Sequence, residues 1–337
     1  MTVPASIAIA IIGAGGIAQD HVAAYARIPS VRVAHIVDTD ATRARTLAAR
    51  ASNAAWSTDA QPVFAASDVD AVDICTPSET HAALAIAAAE RGKAIHVEKP
   101  AALSLAEYDA MVTATEQRGV SLMVGQTARF QPVNSEIAQA IATGTIGRLR
   151  VLHVTWYAGH VWADGWRAWQ LDPARSGGHP LHNGIHALDL AIWLFGRTPT
   201  RIFTRGFRTF APTMSIPDSF HMTVRFDDGS FALLEIAYAL RQRGDSLRRI
   251  LAIGEAGSLS HSTEDDPQLY SDGVHLPSPA IEDAMYLQLR HWIATLRGEE
   301  EPIVKMVQVR HALAAALAAQ ESLETGMAVS IGEARDA

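Results

Sequence analysis

The chain has one cysteine, no block of basic residues and no apolar run long enough to cross a membrane. Cys75 has no partner for a disulfide within the chain and lies in an apolar stretch, which predicts core packing and is consistent with a reducing cytoplasm. The 28 basic and 36 acidic residues leave a net charge of -8, which argues against nucleic acid or an anionic membrane as partner. The expected partner is therefore a small molecule.

A glycine-rich loop follows the first apolar stretch, residues 7–12, and no Lys or Arg precedes that stretch, so no signal peptide is expected. A strand, a glycine turn and a helix start in this order bind the pyrophosphate of a dinucleotide. Gly13 permits the tight turn, Gly15 lets the backbone approach the phosphates, and the small Ala18 allows close packing of helix on strand. The predicted cofactor-binding residues of this loop are Gly13, Gly15, Gly16, Ile17 and Ala18.

Short apolar runs alternate with Ala-rich helical segments up to about residue 124, which predicts a Rossmann domain, a doubly wound parallel sheet of α/β class. Strands are expected at 7–12, 31–37, 71–75, 94–97 and 121–124, and helices at 41–51, 81–91 and 105–118. A further helix at 133–143 precedes a change to longer β-rich segments. We therefore expect an NAD-binding domain at 1–127 and a substrate and oligomerisation domain at 128–337.

The second half is predicted to be an α+β domain with a large, mostly antiparallel open sheet. Strands are expected at 148–156, 201–210, 220–226, 230–238 and 247–253, with Asp228-Gly229 as a hairpin turn, and helices at 185–195, 281–297 and 307–325. These helices would cover only part of the sheet. One sheet face is thus left for another subunit, and a homodimer or homotetramer is expected.

Asp38 ends the second predicted strand, where dinucleotide-binding folds place an acidic residue. Its carboxylate can accept hydrogen bonds from both hydroxyls of the adenosine ribose and would repel a 2′-phosphate. NAD is therefore favoured over NADP. A solvated turn residue is the alternative interpretation, and the nearby Arg43 and Arg45 keep NADP open.

Two predicted loops leave neighbouring strands at the carboxyl edge of the sheet, where ligands bind in this architecture. They contain Thr76-Pro77-Ser78 and Glu98-Lys99-Pro100. Lys99 can hydrogen-bond the reacting oxygen of an alcohol or ketone and stabilise developing alkoxide charge. The alternative is a surface lysine paired with Glu98.

Three polar residues of the segment 176–189 fall on one face if that segment is helical, namely His182, His186 and Asp189 at i, i+4 and i+7. Two imidazoles and a carboxylate can bind zinc, with His179 as a fourth ligand. Hydrogen-bonded core histidines are a second possibility. We favour a third, proton transfer, because the glycine loop already predicts redox chemistry.

The motifs taken together resemble the Gfo/Idh/MocA oxidoreductase family. They are the glycine loop, Thr76-Pro77 with His81, Glu98-Lys99-Pro100, Arg129-Phe130 and the segment from Gly177 to Asp189. The resemblance implies NAD(P) in a Rossmann domain, hydride transfer at a sugar or polyol carbon, and Lys99 with His186 as the proton-handling pair. Thr76, Pro77, His81, Glu98 and Lys99 are expected at the cofactor, and Lys99, Arg129, His182 and His186 at the substrate.

His182 departs from the family pattern, because members usually carry an Asp one turn before the catalytic histidine. A second imidazole brings no fixed negative charge, so neutral histidines are favoured. His186 then acts as general base, or His182 takes that role or binds substrate.

An aromatic cluster between the first β segment of the second half and the histidine segment is expected to form a substrate wall of Trp162, Trp166 and Arg167, while Trp156 is expected in the core. The predicted function is an NAD-dependent dehydrogenase or reductase for a sugar, cyclitol or derivative. Two alternatives are NAD-dependent glycoside cleavage through transient oxidation and an NAD-sensing regulator without turnover.

Overall fold

The computed structural model describes residues 6–159, 169–209, 216–240, 245–263, 269–271, 274–276 and 283–332. The chain divides into two compact units, Met1–Thr127 with Glu282–Met306 and Ala128–Ile281 with Val307–Ala337. The segment that returns to the first unit corrects the predicted second domain at 128–337. Its cause is packing, because Trp292 lies 5.3 Å from His96 and 6.5 Å from Tyr25, measured between ring centroids.

The described helices and strands follow one another in the order that the sequence patterns predict, with a few short additions. The α-helices among the described residues are α1 Gly16–Tyr25, α2 Ala41–Arg50, α3 Gln61–Ala65, α4 His81–Glu90, α5 Leu105–Arg118, α6 Pro132–Ala142, α7 Pro173–Ser176, α8 Ile185–Phe195, α9 Ala284–Leu296 and α10 Met306–Thr325. The strands are β1 Ile7–Ile12, β2 Val31–Val37, β3 Ala55–Ser57, β4 Ala71–Ile74, β5 Ala94–Glu98, β6 Leu122–Gly125, β7 Leu149–Gly159, β8 Pro199–Phe207, β9 Ser219–Phe226, β10 Phe231–Leu240, β11 Ser246–Gly254, β12 Ser258–Ser262, β13 Leu269–Ser271, β14 Val274–Leu276 and β15 Val329–Ser330.

The first unit contains a parallel sheet with the order β3-β2-β1-β4-β5-β6, the strand order of dinucleotide-binding folds. All six residues of β1 are buried, as expected for a strand covered on both faces. Helix α5 begins where the sequence predicts, because the Ser104 side chain accepts a hydrogen bond from the Glu107 backbone N–H, and it ends at Gly119 with φ +62°. Cys75 is buried in this core, and burial raises the pKa of its thiol to about 12. The predicted Rossmann domain is confirmed.

The second unit contains a nine-stranded sheet with the order β14-β13-β12-β11-β7-β10-β9-β8-β15. Its pairs are antiparallel except β7 with β10, so the predicted, mostly antiparallel sheet is confirmed. The hairpin turn lies at Asp228-Gly229, where Gly229 has φ +81° and Asp228 accepts from the Ser230 backbone N–H. None of the described helices is long and apolar enough to cross a membrane.

Candidate active site

The glycine loop between β1 and α1 is closed on one side and open on the other. Gly13 has φ +100°, and a Cβ there would lie 2.6 Å from the Cys75 carbonyl oxygen, so this position requires glycine. A Cβ at Gly15 or Gly16 would meet no atom of the described residues within 4 Å. Gly15 is also the N-cap of α1, and Ala18 is fully buried beneath it. The open side and the helix N-terminus therefore suit a pyrophosphate group.

Asp38 holds the glycine loop through hydrogen bonds from backbone N–H groups. Its Oδ2 accepts from the Ala14 backbone N–H at 2.8 Å, and its Oδ1 accepts from the Asp40 backbone N–H at 2.8 Å. The Arg43 Nε lies 3.6 Å from the Asp38 Oδ1 and 3.5 Å from the Asp40 Oδ2. Each carboxylate oxygen has a second lone pair for a ribose hydroxyl. The bond to Ala14 is a structural role that the sequence motif did not reveal.

His81 connects the two loops at the carboxyl edge of the sheet. Its Nδ1 lies 2.7 Å from the Pro100 carbonyl oxygen and its Nε2 2.8 Å from the Thr76 carbonyl oxygen. The ring is buried, and this burial lowers its pKa. Thr76 and Pro77 remain partly exposed at the start of their loop. These contacts favour loop positioning by His81 over the predicted direct contact with the cofactor.

Lys99 follows the buried strand β5 and is partly exposed, and its peptide bond to Pro100 is cis. The Glu98 side chain is buried, and its Oε2 accepts from the Lys99 backbone N–H at 3.2 Å. Gly125 makes room for this carboxylate, because a Cβ there would lie 2.6 Å from the Glu98 Oε1. Burial lowers the pKa of Lys99, and the charge of Glu98 opposes this shift without cancelling it. An ammonium with a lowered pKa is suited to handling a proton near neutral pH.

Residues 178–192 of the second unit are buried except His182 and His186, which are partly exposed. The turn Pro180–Gly184 is a π-helix and continues into α8 at Ile185, so the predicted α-helical spacing does not hold there. His186 lies 5.4 Å from the Trp156 ring and His182 lies 5.2 Å from the Trp169 ring, between centroids.

Each of these indoles also contacts an arginine. The Arg248 guanidinium carbon lies 4.3 Å from the Trp156 ring centroid, and that of Arg175 lies 5.9 Å from the Trp169 ring centroid. Arg248 reaches Trp156 by strand pairing between β11 and β7. The sequence does not reveal Arg248 as a neighbour of this site, because the two strands are far apart in the chain. Arg248, Trp156 and His186 thus form a surface that combines two polar side chains with the flat apolar face of an indole.

Asp189 does not belong with the two histidines, which corrects the predicted common face. It is fully buried and accepts two hydrogen bonds of 2.7 Å from the Arg129 Nε and Nη2, while the Arg129 Nη1 donates to the Gln308 Oε1 at 2.7 Å. This environment favours a structural role for Arg129 over the predicted contact with substrate. His179 is also buried, and burial lowers its pKa to about 4, so its ring is neutral and Nδ1 donates to the Pro217 carbonyl.

A different acid and histidine cluster has the spacing of metal ligands within the part of the chain that the structure describes. It comprises His21, Asp73 and His96, all buried in the first unit.

The sequence motifs also do not include Gln126, the residue after β6. Its side chain is fully buried, and its amide atoms have no hydrogen-bond partner among the described residues. Trp162, Trp166 and Arg167 lie outside the described residues.

Comparison with known proteins agrees with this architecture. The model of the oxidoreductase family with an NAD-binding Rossmann fold, GFO_IDH_MocA, matches residues 7–126, and the model of the GFO/IDH/MocA C-terminal domain matches residues 135–260. The chain belongs to the Gfo/Idh/MocA oxidoreductase family. Its first unit is thus an NAD-binding Rossmann domain, as the glycine loop predicts.

Relatives in this family match over most of their length. The D-apiose dehydrogenase of Paraburkholderia graminis is 29% identical over 313 residues, which cover 87% of this chain and 81% of that protein. The NAD-dependent scyllo-inositol 2-dehydrogenase of Bacillus subtilis is 29% identical over 319 residues, 90% of each chain. The crystal structure of a myo-inositol dehydrogenase from Corynebacterium glutamicum has a TM-score of 0.79 at 24% identity, covers 98% of this chain and 100% of that one, and shows the shared fold.

Proposed function

We propose that this protein is an NAD-dependent dehydrogenase or reductase that transfers hydride between the nicotinamide and a hydroxyl or keto carbon of a sugar, a cyclitol or a derivative. The observation that carries the proposal is Lys99, which is partly exposed at the carboxyl edge of a Rossmann sheet and has a lowered pKa. The relatives named for apiose and inositol oxidation support the substrate class.

The residues around the glycine loop fit NAD. The open sides of Gly15 and Gly16 accept phosphates, and the remaining lone pairs of Asp38 accept ribose hydroxyls. Bound NAD supplies a hydride acceptor. The negative charge of Asp38 supports NAD over NADP, because it would repel a 2′-phosphate.

The side chains of the protein would handle the proton and the charge of the reacting oxygen. In the oxidative direction, the proposed role of His186 is to remove the hydroxyl proton, and that of Lys99 is to stabilise the alkoxide. His182 replaces the carboxylate that usually accompanies the catalytic histidine. We assign to it either the base role or contact with substrate, since its ring packs against Trp169 much as His186 packs against Trp156.

A substrate screen tests the proposed function. Polyols, inositols, aldoses and glycosides are incubated with NAD, and keto sugars with NADH, while nicotinamide absorbance and reaction products are followed. We expect a substrate-dependent absorbance change matched by oxidised or reduced product. Free sugar released from a glycoside without net NADH would instead support glycoside cleavage. Nucleotide binding without turnover of any substrate would support a regulator and contradict the proposal.

We also propose that the protein works in the cytoplasm and forms a homo-oligomer through one face of its second sheet. Two cross-strand rows on that face expose apolar side chains, with Leu233 and Leu251 flanking His153, and Phe231 and Ile253 flanking Val151. Paired residues share a sheet face, and a contiguous apolar patch favours association. Sedimentation should give a dimer or tetramer that Leu233→Asp shifts toward monomer. A monomeric wild type would contradict this proposal.

A further inference from the structure

A buried polar cluster in the first unit includes Glu98, the residue before Lys99. It consists of His21 and Tyr25 from α1, Asp73 from β4, and His96 and Glu98 from β5, and we call it the Asp73 cluster. Its members are between 0% and 6% exposed. Buried ionisable groups cost stability unless they are paired, so the protonation state of this cluster is constrained by its hydrogen bonds.

Asp73 is the acceptor at the centre of the cluster. Its Oδ2 accepts from the Tyr25 hydroxyl at 2.8 Å and from the His21 Nδ1 at 2.7 Å, and its Oδ1 accepts from the His96 Nδ1 at 2.8 Å. Burial would raise the pKa of Asp73, but the neighbouring imidazoles hold it well below its usual range. Asp73 is therefore a carboxylate, and both histidines carry a proton on Nδ1.

The contacts of His96 identify it as a neutral ring. The Gln288 Nε2 lies 3.2 Å from the His96 Nε2, and the Thr127 hydroxyl donates to the Gln288 Oε1 at 2.9 Å. An amide nitrogen only donates, so the His96 Nε2 accepts and bears no proton. His96 thus adds a dipole to the cluster and no positive charge.

His21 has a different neighbour at its second nitrogen. Its Nε2 lies 3.4 Å from the Glu98 Oε1, and Glu98 is the buried residue before Lys99. Neither atom has a hydrogen-bond partner among the described residues, and a proton on the His21 Nε2 would remove the repulsion between the two facing lone pairs. Burial would lower the pKa of His21, but Asp73 raises it well above its ordinary value. Burial would likewise raise the pKa of Glu98, but His21 lowers it.

The same residues do not suit a metal ion. A metal bound by His21, Asp73 and His96 would need the Nδ1 lone pairs of both rings. Those nitrogens instead carry the protons that they donate to Asp73. The hydrogen bonds to Asp73 leave the His21 Nε2 and the Glu98 Oε1 as the buried atoms of the cluster that have no hydrogen-bond partner among the described residues.

We propose that His21 is a positioning residue, a buried imidazolium whose Nε2 proton keeps Glu98 ionised and oriented beside Lys99. The inference rests on the proposed role of Lys99. An ionised Glu98 favours the ammonium form of Lys99, the form that stabilises an alkoxide. Without the imidazolium, the buried Glu98 takes up a proton and Lys99 loses its counter-charge. Lys99 then deprotonates at lower pH.

The groups that face His21 all belong to the elements packed around it. They are Tyr25 from α1, Asp73 from β4, Cys75 directly after β4, and His96 and Glu98 from β5. From α9, Gln288 and Trp292 lie beside His96, and neither side chain titrates in the working range. His21 is linked to Lys99 through Glu98, the buried residue before Lys99.

Nitrogen-15 NMR of the histidine rings tests the charge state of the wild-type protein without any turnover. The His21 resonances are assigned by their loss in His21→Asn. We expect both ring nitrogens of His21 to carry protons at a pH where an ordinary imidazole, with a pKa of about 6.5, is neutral. Titration of His21 near its ordinary pKa of about 6.5, or a single protonated nitrogen, would overturn the inference.

Kinetics test the consequence for Lys99 with three variants. His21→Asn keeps a donor near Asp73, His21→Gln keeps a neutral donor toward Glu98, and Glu98→Gln removes the carboxylate. We expect the alkaline limb of kcat to move to lower pH by about one unit in all three variants. The double variant His21→Asn with Glu98→Gln should show no further shift.

An alkaline limb of kcat that stays at the wild-type pH in Glu98→Gln or in His21→Asn would overturn the inference. If Lys99→Met kept full turnover, the proposed function would fail, and the NMR result would still decide the state of His21.

Discussion

Replacing two glycines of the same loop by alanine is expected to affect two different properties, the stability of the first unit and the binding of NAD. At Gly13 the new Cβ would meet the Cys75 carbonyl oxygen at 2.6 Å with φ at +100°, whereas at Gly15 it would point into open space with φ −76°. We predict that Gly13→Ala destabilises the first unit. We predict that Gly15→Ala leaves the fold intact and weakens NAD binding, because its Cβ occupies the phosphate side of the loop.

The magnitudes follow from the two environments. A positive φ costs a non-glycine residue roughly 1–2 kcal/mol, and overpacking against backbone adds about 1–3 kcal/mol, so Gly13→Ala should lose about 2–5 kcal/mol. At Gly15 the loss of a preferred N-cap residue lowers the free energy of unfolding by about 0.5–1 kcal/mol. Alanine also makes the unfolded chain less flexible, which raises the free energy of unfolding by about 0.4–1 kcal/mol. The free energy of unfolding of Gly15→Ala should therefore stay within about 1 kcal/mol of wild type, while its Kd for NADH rises at least about tenfold, or 1.4 kcal/mol.

Urea unfolding followed by circular dichroism and fluorescence titration with NADH measure the two effects. Gly92→Ala is the matched control, because Gly92 has φ +72° and a Cβ there would meet no described atom within 4 Å. It should cost about 1–2 kcal/mol of stability and leave the Kd for NADH unchanged. Wild-type affinity in Gly15→Ala would refute the assignment of the open side of the loop to the phosphates.

Three further predictions concern the buried ion pair, coenzyme choice and pH. Asp189→Asn leaves the Arg129 charge uncompensated and should cost about 3–5 kcal/mol of unfolding free energy, whereas Glu255→Gln in the exposed pair with Arg148 should cost under about 1 kcal/mol; equal losses would contradict the argument. Asp38→Asn should raise the NADP to NAD ratio of kcat/KM at least about tenfold while keeping an acceptor for the Ala14 N–H, and an unchanged ratio would remove the role of the charge. Because the pKa of His179 is about 4 when folded and about 6.5 when unfolded, wild-type stability should fall as pH drops from 6.5 to 4, by about 2.5 kcal/mol more than in His179→Leu. Parallel pH profiles of stability for the two proteins would contradict that pKa.

Local signals in the sequence predict the Rossmann unit well. Residues 105–118 form α5 as expected, since Ser104 caps the helix and Gly119 ends it, and Asp228-Gly229 forms its hairpin turn. The short polar β12 has no alternating apolar pattern, so the sequence does not predict it. The π-helical turn before α8 has no periodicity that separates it from an α-helix.

Features that depend on packing between distant parts of the chain cannot be predicted from local sequence patterns. Helix α9 joins the first unit because Gln288 and Trp292 pack against His96, which is far from them in the chain. The Asp73 cluster is assembled in the same way from one helix and two strands. The sequence spacing predicts that Asp189 shares a face with His182 and His186. Its side chain instead faces the interior, where it pairs with Arg129. Motif spacing shows which residues share an element, and it does not show which buried charge pairs with which.

The proposed chemistry depends most directly on the ammonium of Lys99. Single-turnover hydride transfer should be measured for wild type and Lys99→Met, each saturated with NAD and with the best substrate from the screen. We predict an unchanged Kd for NAD and a hydride-transfer rate reduced about 10²–10³-fold, the usual loss for removing one donor to a developing oxyanion. A Lys99→Met variant that transfers hydride at the wild-type rate would contradict the account.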